Sequence, residues 1–244
     1  MASKNALRKP EDHPSFSTMG QKVATITVSP KKKAYTIRLD LLVHYSEYFR
    51  AAFTGSFKEA EEKKIHLSDV EESTFDYFMD WLYYTKITTS QEHKDPKDDP
   101  HPYYIFVELY ILGDKYQIPN LRKYVIDHNF QYFLRVDDVL PVPHIITQAY
   151  ESLPETSPLR RFFSDLYSIR LSSYFQAITV EMREKPSCLP NGFLVEALIK
   201  ASDIRDVAKK GKSPALKLCD YHEHPDNEDR KKCEEKHGIT NIKG

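Results

Sequence analysis

The chain has 244 residues, 40% of them hydrophobic and 12% aromatic, enough to bury one full core and a smaller second one. Its 35 Lys and Arg nearly cancel 36 Asp and Glu, for a formal net charge of -1, so no global field gathers a polyanion and nucleic acid is not the expected partner. No run approaches the roughly 20 apolar residues that span a bilayer, the opening MASKNALRKP lacks an apolar centre, and three scattered cysteines form no disulfide scaffold, which together point to an intracellular, non-membrane protein.

Residues 1–20 mix Lys, Pro, Ser and His without a period and read as a flexible leader. In VATITV, Ala24, Ile26 and Val28 alternate with Val23, Thr25 and Thr27, the pattern of a strand buried on one face. Ser29 to Lys33 is a polar turn, and Tyr35 to Leu39 returns as a second strand of a hairpin. Leu41, Leu42, Tyr45, Phe49 and Phe53 recur at helical spacing, predicting one amphipathic helix from Asp40 to Phe53 with Asp40 as N-cap and Gly55 as its end. Ile65 and Leu67 alternate in KKIHLSD, a third strand. Acidic Asp69, Glu71 and Glu72 then precede Phe75, Phe78, Met79, Leu82 and Tyr83, a helix favoured at its positive end by the acids.

Three prolines among alternating charges make 88–102 a surface insertion. Ile105, Leu109, Leu112 and Tyr116 resume helical order, and Pro119 starts a further helix carrying Leu121, Val125 and Ile126, so the two form an αα-hairpin. Beyond it no strand-like run occurs, and helices are expected from Pro143 to Glu151, from Pro158 to about Arg183 and from Asn191 to about Lys209. From Gly211 the chain is charged and polar and is read as a partly ordered tail.

Three stretches carry a family resemblance: LLVHYSEYFRAAFTGSFKEAEEKKIHLSDV at 41–70, TFDYFMDWLYYTKI at 74–87 and LYILGDKYQIPNLRKYV at 109–125. With the order strand, strand, helix, strand, helix, gap, helix pair, they resemble the BTB/POZ family, and the forms WLYYTKI and FKEAEEKKI are most similar to its short fungal members. The resemblance implies an α/β (α+β) fold over 22–133, a small sheet capped by helices with the insertion at 88–102, followed by an all-helical extension over 134–210 and the charged tail over 211–244. It also implies a non-catalytic protein-interaction module that acts as a homodimer, as a substrate adaptor of a Cullin-3 ubiquitin ligase, or as a transcription-linked or structural oligomerisation module. Cullin-binding members share an apolar-x-Glu motif before the third strand, matched here by Phe57, Lys58 and Glu59, which with Tyr48 and Phe49 form the expected partner-binding set. The other reading of that set is structural, with Phe57 packed on the preceding helix and Glu59 a solvated acid. Dimeric members place an acid just before the first strand, where this chain has Lys22.

Catalytic signatures are missing from the sequence: it contains no G-x-G-x-x-G, P-loop or G-x-S-x-G, and seven glycines leave little material for a phosphate cradle. The one group of ligand-type residues is CDYHEHPDNEDRKKCEEKH. Cys219 and His222 lie three apart and Cys233 and His237 four apart, so each pair shares one face of a helical turn, and the four donors suit tetrahedral zinc; His224, two residues from His222, is expected to point elsewhere, able to substitute for His222 but not to join it. The alternative is a helical or disordered tail with solvated histidines. No other cofactor is expected.

Overall fold

A computed structural model describes residues 13–87, 103–136, 139–170, 189–209, 215–237 and 241–243. The chain divides into two compact units, one ending at Tyr124 and one beginning at Val125.

The first unit is built on a three-stranded sheet of order β2-β1-β3. The central strand β1 (Val23–Val28) pairs antiparallel with β2 (Lys33–Arg38), from Val23 opposite Arg38 to Val28 opposite Lys33. It pairs parallel with β3 (Lys64–Leu67), from Thr25 opposite Lys64 to Val28 opposite Leu67. A parallel neighbour needs a crossover, and three helices supply it: α1 (Leu39–Tyr45), α2 (Glu47–Thr54) and α3 (Lys58–Glu62). The alternation in β1 and β3 is observed as read, with Ala24, Ile26, Val28, Ile65 and Leu67 buried. α4 (Glu72–Tyr84) and α5 (Tyr103–Lys115) pack on each other and bury Phe75, Phe78, Trp81, Leu82, Phe106 and Tyr110. Lys33 and Tyr35 clip β2 to α4 by donating to the Asp76 carboxylate at 2.8 and 2.7 Å.

The helix expected from Asp40 to Phe53 is two helices, broken at Ser46, which has the extended dihedrals φ -125° and ψ 120°. The apolar spacing runs through the break because both halves line the same core, so periodicity alone cannot register it. Ser46 closes α1 through its backbone N–H to Leu42 O at 3.0 Å, and its Oγ caps α2 by accepting from Phe49 N at 3.0 Å. The same hydroxyl donates to the Tyr116 carbonyl at 2.6 Å, beyond the end of α5. Arg50 adds a second tie across the joint, donating from Nε and Nη2 to Val43 O at 3.0 and 2.7 Å. Asp40 is therefore not an N-cap. That position is Arg38, which makes no side-chain cap bond, and Asp40 instead accepts from Gly20 N at 2.6 Å.

The second unit takes the rest of α6 (Pro119–Arg135), then α7 (Pro143–Ser152), α8 (158–170), α9 (Asn191–Lys209) and α10 (Asn227–His237). The continuation expected for α8 to about Arg183 lies outside the described residues. Phe130, Phe133, Phe162, Phe163, Leu166 and Phe193 form its core, with Tyr221 edge-on to Phe162 at 5.2 Å. Arg170 ties the loop before α7 to α8 by donating to Val139 O at 2.7 Å, and Tyr167 does the same at Pro141 O at 2.6 Å. In the tail, where no strand-like run of the quality of the first three was expected, two short strands form. β4 (Ala215–Lys217) and β5 (Asn241–Lys243) form an antiparallel ribbon, joined by a 3-10 turn over Leu218–Tyr221 and by α10. Each strand has only three residues, with Leu216 buried in one and Ile242 in the other, which is too short to display an alternation.

Ser46→Ala removes a cap and strands a buried carbonyl, so equilibrium urea unfolding is expected to show a loss of about 2–3 kcal/mol. His128 supplies a pH signature. Burial, reinforced by the charge of Arg135, lowers its imidazole from 6.5 to about 4. The unfolded chain therefore takes up the proton first as pH falls. The contribution is complete above the unfolded value and is lost between there and the folded one, by about 3 kcal/mol. His128→Gln should flatten the fall in urea midpoint over that interval; an unchanged pH profile would refute the assignment.

Candidate interaction surface and a Cys/His cluster

The α2–α3 corner is defined by its ends. Gly55 closes α2, and a Cβ there would meet the Ala51 carbonyl oxygen at 2.6 Å and the Phe57 ring at 3.3 Å, so glycine lets that ring lie against the helix terminus. Phe57 is the N-cap of α3, and Lys63, in the left-handed region at φ 53°, ends it. The Lys63 side chain reaches back to donate to Phe53 O at 2.8 Å, fastening the far end of α3 to α2. No residue of α3 is buried. The helix thus presents side chains without filling the core.

On this corner Phe57 is 59% exposed and Tyr48 38% exposed. The half-buried Glu59 carboxylate has no ion pair or hydrogen bond among the described residues, whereas neighbouring Lys58 and Glu62 pair at 3.2 Å. Phe49, expected in the same set, belongs to the core. It is 1% exposed and stacked on Tyr116 at 5.6 Å with an interplanar angle of 11°. Its place in the helix puts it behind Tyr48, which stands edge-on to both Phe49 and Tyr116 at 5.3 and 5.1 Å. Tyr116 is itself fixed by Asp69, to which its hydroxyl donates at 3.2 Å; burial, then the Asp69 charge, pushes that phenol well above its ordinary range. Partial burial opposes ionisation of Asp69, but the bonds from Lys115 and Tyr116 hold its carboxyl below the usual carboxylate range.

Other exposed apolar residues were not singled out by the sequence reading. Phe16 and Val23 flank Lys22, and Tyr84 stands at the end of α4. Val195, Leu198 and Ile199 stand out from α9 at offsets of three and four, opposite buried Phe193 and Ala197. The i, i+3, i+4 signal was available there, but a helix with apolar residues on both faces reads simply as core. The insertion at 88–102 lies outside the described residues.

In the second unit the 3-10 turn carries Cys219, His222 follows it, His224 lies two residues on, and Cys233 is in the middle of α10. One donor atom from each of these four lies within 4.8 Å of all the others. His237, expected as the fourth ligand, groups instead with Asp127 and His222. The reason is geometric. Cys233 faces the turn from mid-helix, while His237 ends the helix one turn further along.

Residues 22–130 match the family model of the BTB/POZ domain. Residues 22–130 are a BTB/POZ domain. The chain is similar to the Kelch repeat and BTB domain-containing protein 4 of Homo sapiens and of Pongo abelii, 29% identical over 98 residues in each case, and to that of Mus musculus, 28% identical over the same length. The matched stretch covers 40% of this chain and only 16–17% of those relatives. BTB/POZ domains are a protein-interaction family whose members bind other proteins and form dimers, not a family of enzymes. Among the described residues, no helix is long and apolar enough to cross a membrane.

Two substitutions separate the exposed side chains of the BTB/POZ domain from their support. Phe49→Ala should lose about 3–5 kcal/mol in chemical denaturation, while Phe57→Ala should stay within about 0.5 kcal/mol of wild type. Equal losses would mean that Phe57 serves the core.

Proposed function

We propose that the BTB/POZ domain is the docking element of a substrate adaptor for a Cullin-3-type ubiquitin ligase, and that the α2–α3 corner is the docking surface. The observation that carries this reading is Phe57, a largely exposed phenyl ring beside an unpaired Glu59 carboxylate on a helix with no buried residue. An aromatic anchor that enters a partner's pocket gains about 1.5–3 kcal/mol from burial. A neighbouring carboxylate that accepts a charge-assisted hydrogen bond adds orientation. Tyr48 widens the apolar patch, and the Phe49–Tyr116 stack keeps it in place, so little side-chain freedom is lost on binding. Such an adaptor works inside the cell, in the cytoplasm or the nucleus.

The test is binding of the purified chain to the N-terminal region of Cullin-3 by calorimetry. Wild type should bind, Phe57→Ala should weaken the complex by about 30-fold or more, and Glu59→Ala by about tenfold, with unfolding midpoints unchanged. Failure of folded wild-type protein to bind would reject the adaptor reading.

A second reading, an oligomerisation module without a ligase partner, draws on the start of β1. Val23 is 47% exposed, Phe16 is exposed nearby with the Arg38 guanidinium 4.7 Å from its ring centroid, and Lys22 lies between them in sequence. Homodimerisation would cover these side chains. Light scattering during size-exclusion chromatography should then give a dimer mass that Val23→Asp halves, and a monomer at micromolar concentration would exclude this reading.

A further inference from the structure

α10 has the sequence NEDRKKCEEKH, and Cys233 is its only buried residue. Its pairs Glu228–Lys232 and Arg230–Glu234 are exposed i, i+4 contacts, which solvent screens and which add little stability. The ribbon beside it has strands of three residues. So polar a helix on so small a sheet buries too little apolar surface to offset its ordering entropy, the circumstance in which small folds rely on a cross-link or a metal.

The side chains at that place are arranged for a metal. Cys219 Sγ and Cys233 Sγ are 2.8 Å apart, and His222 Nδ1 is 3.0 Å from Cys233 Sγ. A tetrahedral zinc ion with ordinary Zn–S and Zn–N bonds sets its donor atoms about 3.3–3.8 Å apart, so these two pairs need to open by less than about 1 Å. The outer partners are more telling. His222 Nε2 lies 2.6 Å from Asp127 Oδ1, and His224 Nδ1 lies 2.7 Å from Asp229 Oδ2. A carboxylate can only accept, so in each neutral ring the proton sits on the nitrogen facing the acid and the other nitrogen keeps its lone pair. In His222 that lone pair is the one beside Cys233. In His224 it is Nε2, which is buried with no hydrogen-bond partner. An orphaned buried acceptor is costly, and carboxylate–histidine pairs of this kind orient ligands around zinc.

We propose that Cys219, His222, His224 and Cys233 bind one structural Zn²⁺, with His222 ligating through Nδ1 and His224 through Nε2. Binding breaks two S–H bonds, releases both protons to solvent, and forms two Zn–S and two Zn–N bonds. Two thiolates balance the charge of the ion, so the buried site is neutral. All four positions are filled by protein side chains, which makes the site closed and structural. Asp127 and Asp229 are positioning residues that act through the histidines. This inference is independent of the adaptor reading, because all four ligands lie outside the BTB/POZ domain and none belongs to the α2–α3 corner.

The experiment uses the whole chain, purified under reducing conditions without chelator. Elemental analysis by mass spectrometry should find one zinc per chain, and replacement by Co²⁺ should give the visible bands of tetrahedral cobalt with thiolate charge transfer. His237→Ala should retain both signals, His224→Ala should lose the tetrahedral spectrum, and Asp229→Asn should lower zinc affinity by about 10–100-fold. Wild-type protein that is metal-free from zinc-supplemented medium and gives no tetrahedral cobalt spectrum overturns the site, without reliance on any variant folding. A Cys219–Cys233 disulfide persisting under reducing conditions also overturns it. Loss on His237→Ala but not on His224→Ala overturns the ligand assignment.

Discussion

The first unit depends on one hydroxyl. Ser46 Oγ accepts from the first turn of α2 and donates to the carbonyl of Tyr116, joining two places 70 residues apart in a buried environment. The break it creates lets α1 bury Leu41, Leu42 and Tyr45 and then re-aims α2 so that Phe49 and Phe53 enter the same core. A continuous helix would carry its apolar stripe straight on. In a dry site a doubly used hydroxyl is worth more than an exposed cap, because each of its partners would otherwise be left unsatisfied.

The placement of the exposed corner follows from that joint. Phe49 stacks on Tyr116, whose carbonyl holds Ser46 and whose phenol reaches Asp69, so Tyr48 rests on a support fixed at three points. α3 contributes nothing to the core and is fastened by its ends. Core residues set where the surface residues stand, while the surface residues are free to change chemistry without unfolding the domain. This division suits a fold whose family serves many partners.

The second unit solves a different problem. Its helices α7 to α9 close over an aromatic core, but the segment from 215 onward has few apolar side chains to offer. Beside Leu216, Leu218, Tyr221 and Ile242 it buries groups that are polar or soft: Cys219, His222 and Cys233, with Asp127 and Asp229 behind the two histidines. Burying such groups is costly unless each finds a partner, so the geometry of this segment is set by polar satisfaction rather than by packing.

The strands of the BTB/POZ domain, the helix from Glu72 and the helix starting at Pro119 were legible because each rests on a local rule: alternation, an acidic first turn, or proline at the first helical position. The Phe57–Lys58–Glu59 corner was legible as a motif and Cys219, His222 and Cys233 as ligand types. The Ser46 break was hidden because both of its helices face one core. The inward burial of Phe49 beside exposed Tyr48 depends on the stack with Tyr116, far along the chain. That His224 rather than His237 stands beside Cys219, His222 and Cys233 depends on which turn of α10 meets the 3-10 turn, and the three-residue strands are too short to show a period. The sequence alone therefore determined the elements and the kinds of chemistry available, since both are properties of neighbouring residues. Tertiary structure alone decided which aromatic faces solvent and which nitrogen faces the thiols, because hydrogen bonds and packing between distant segments set those orientations.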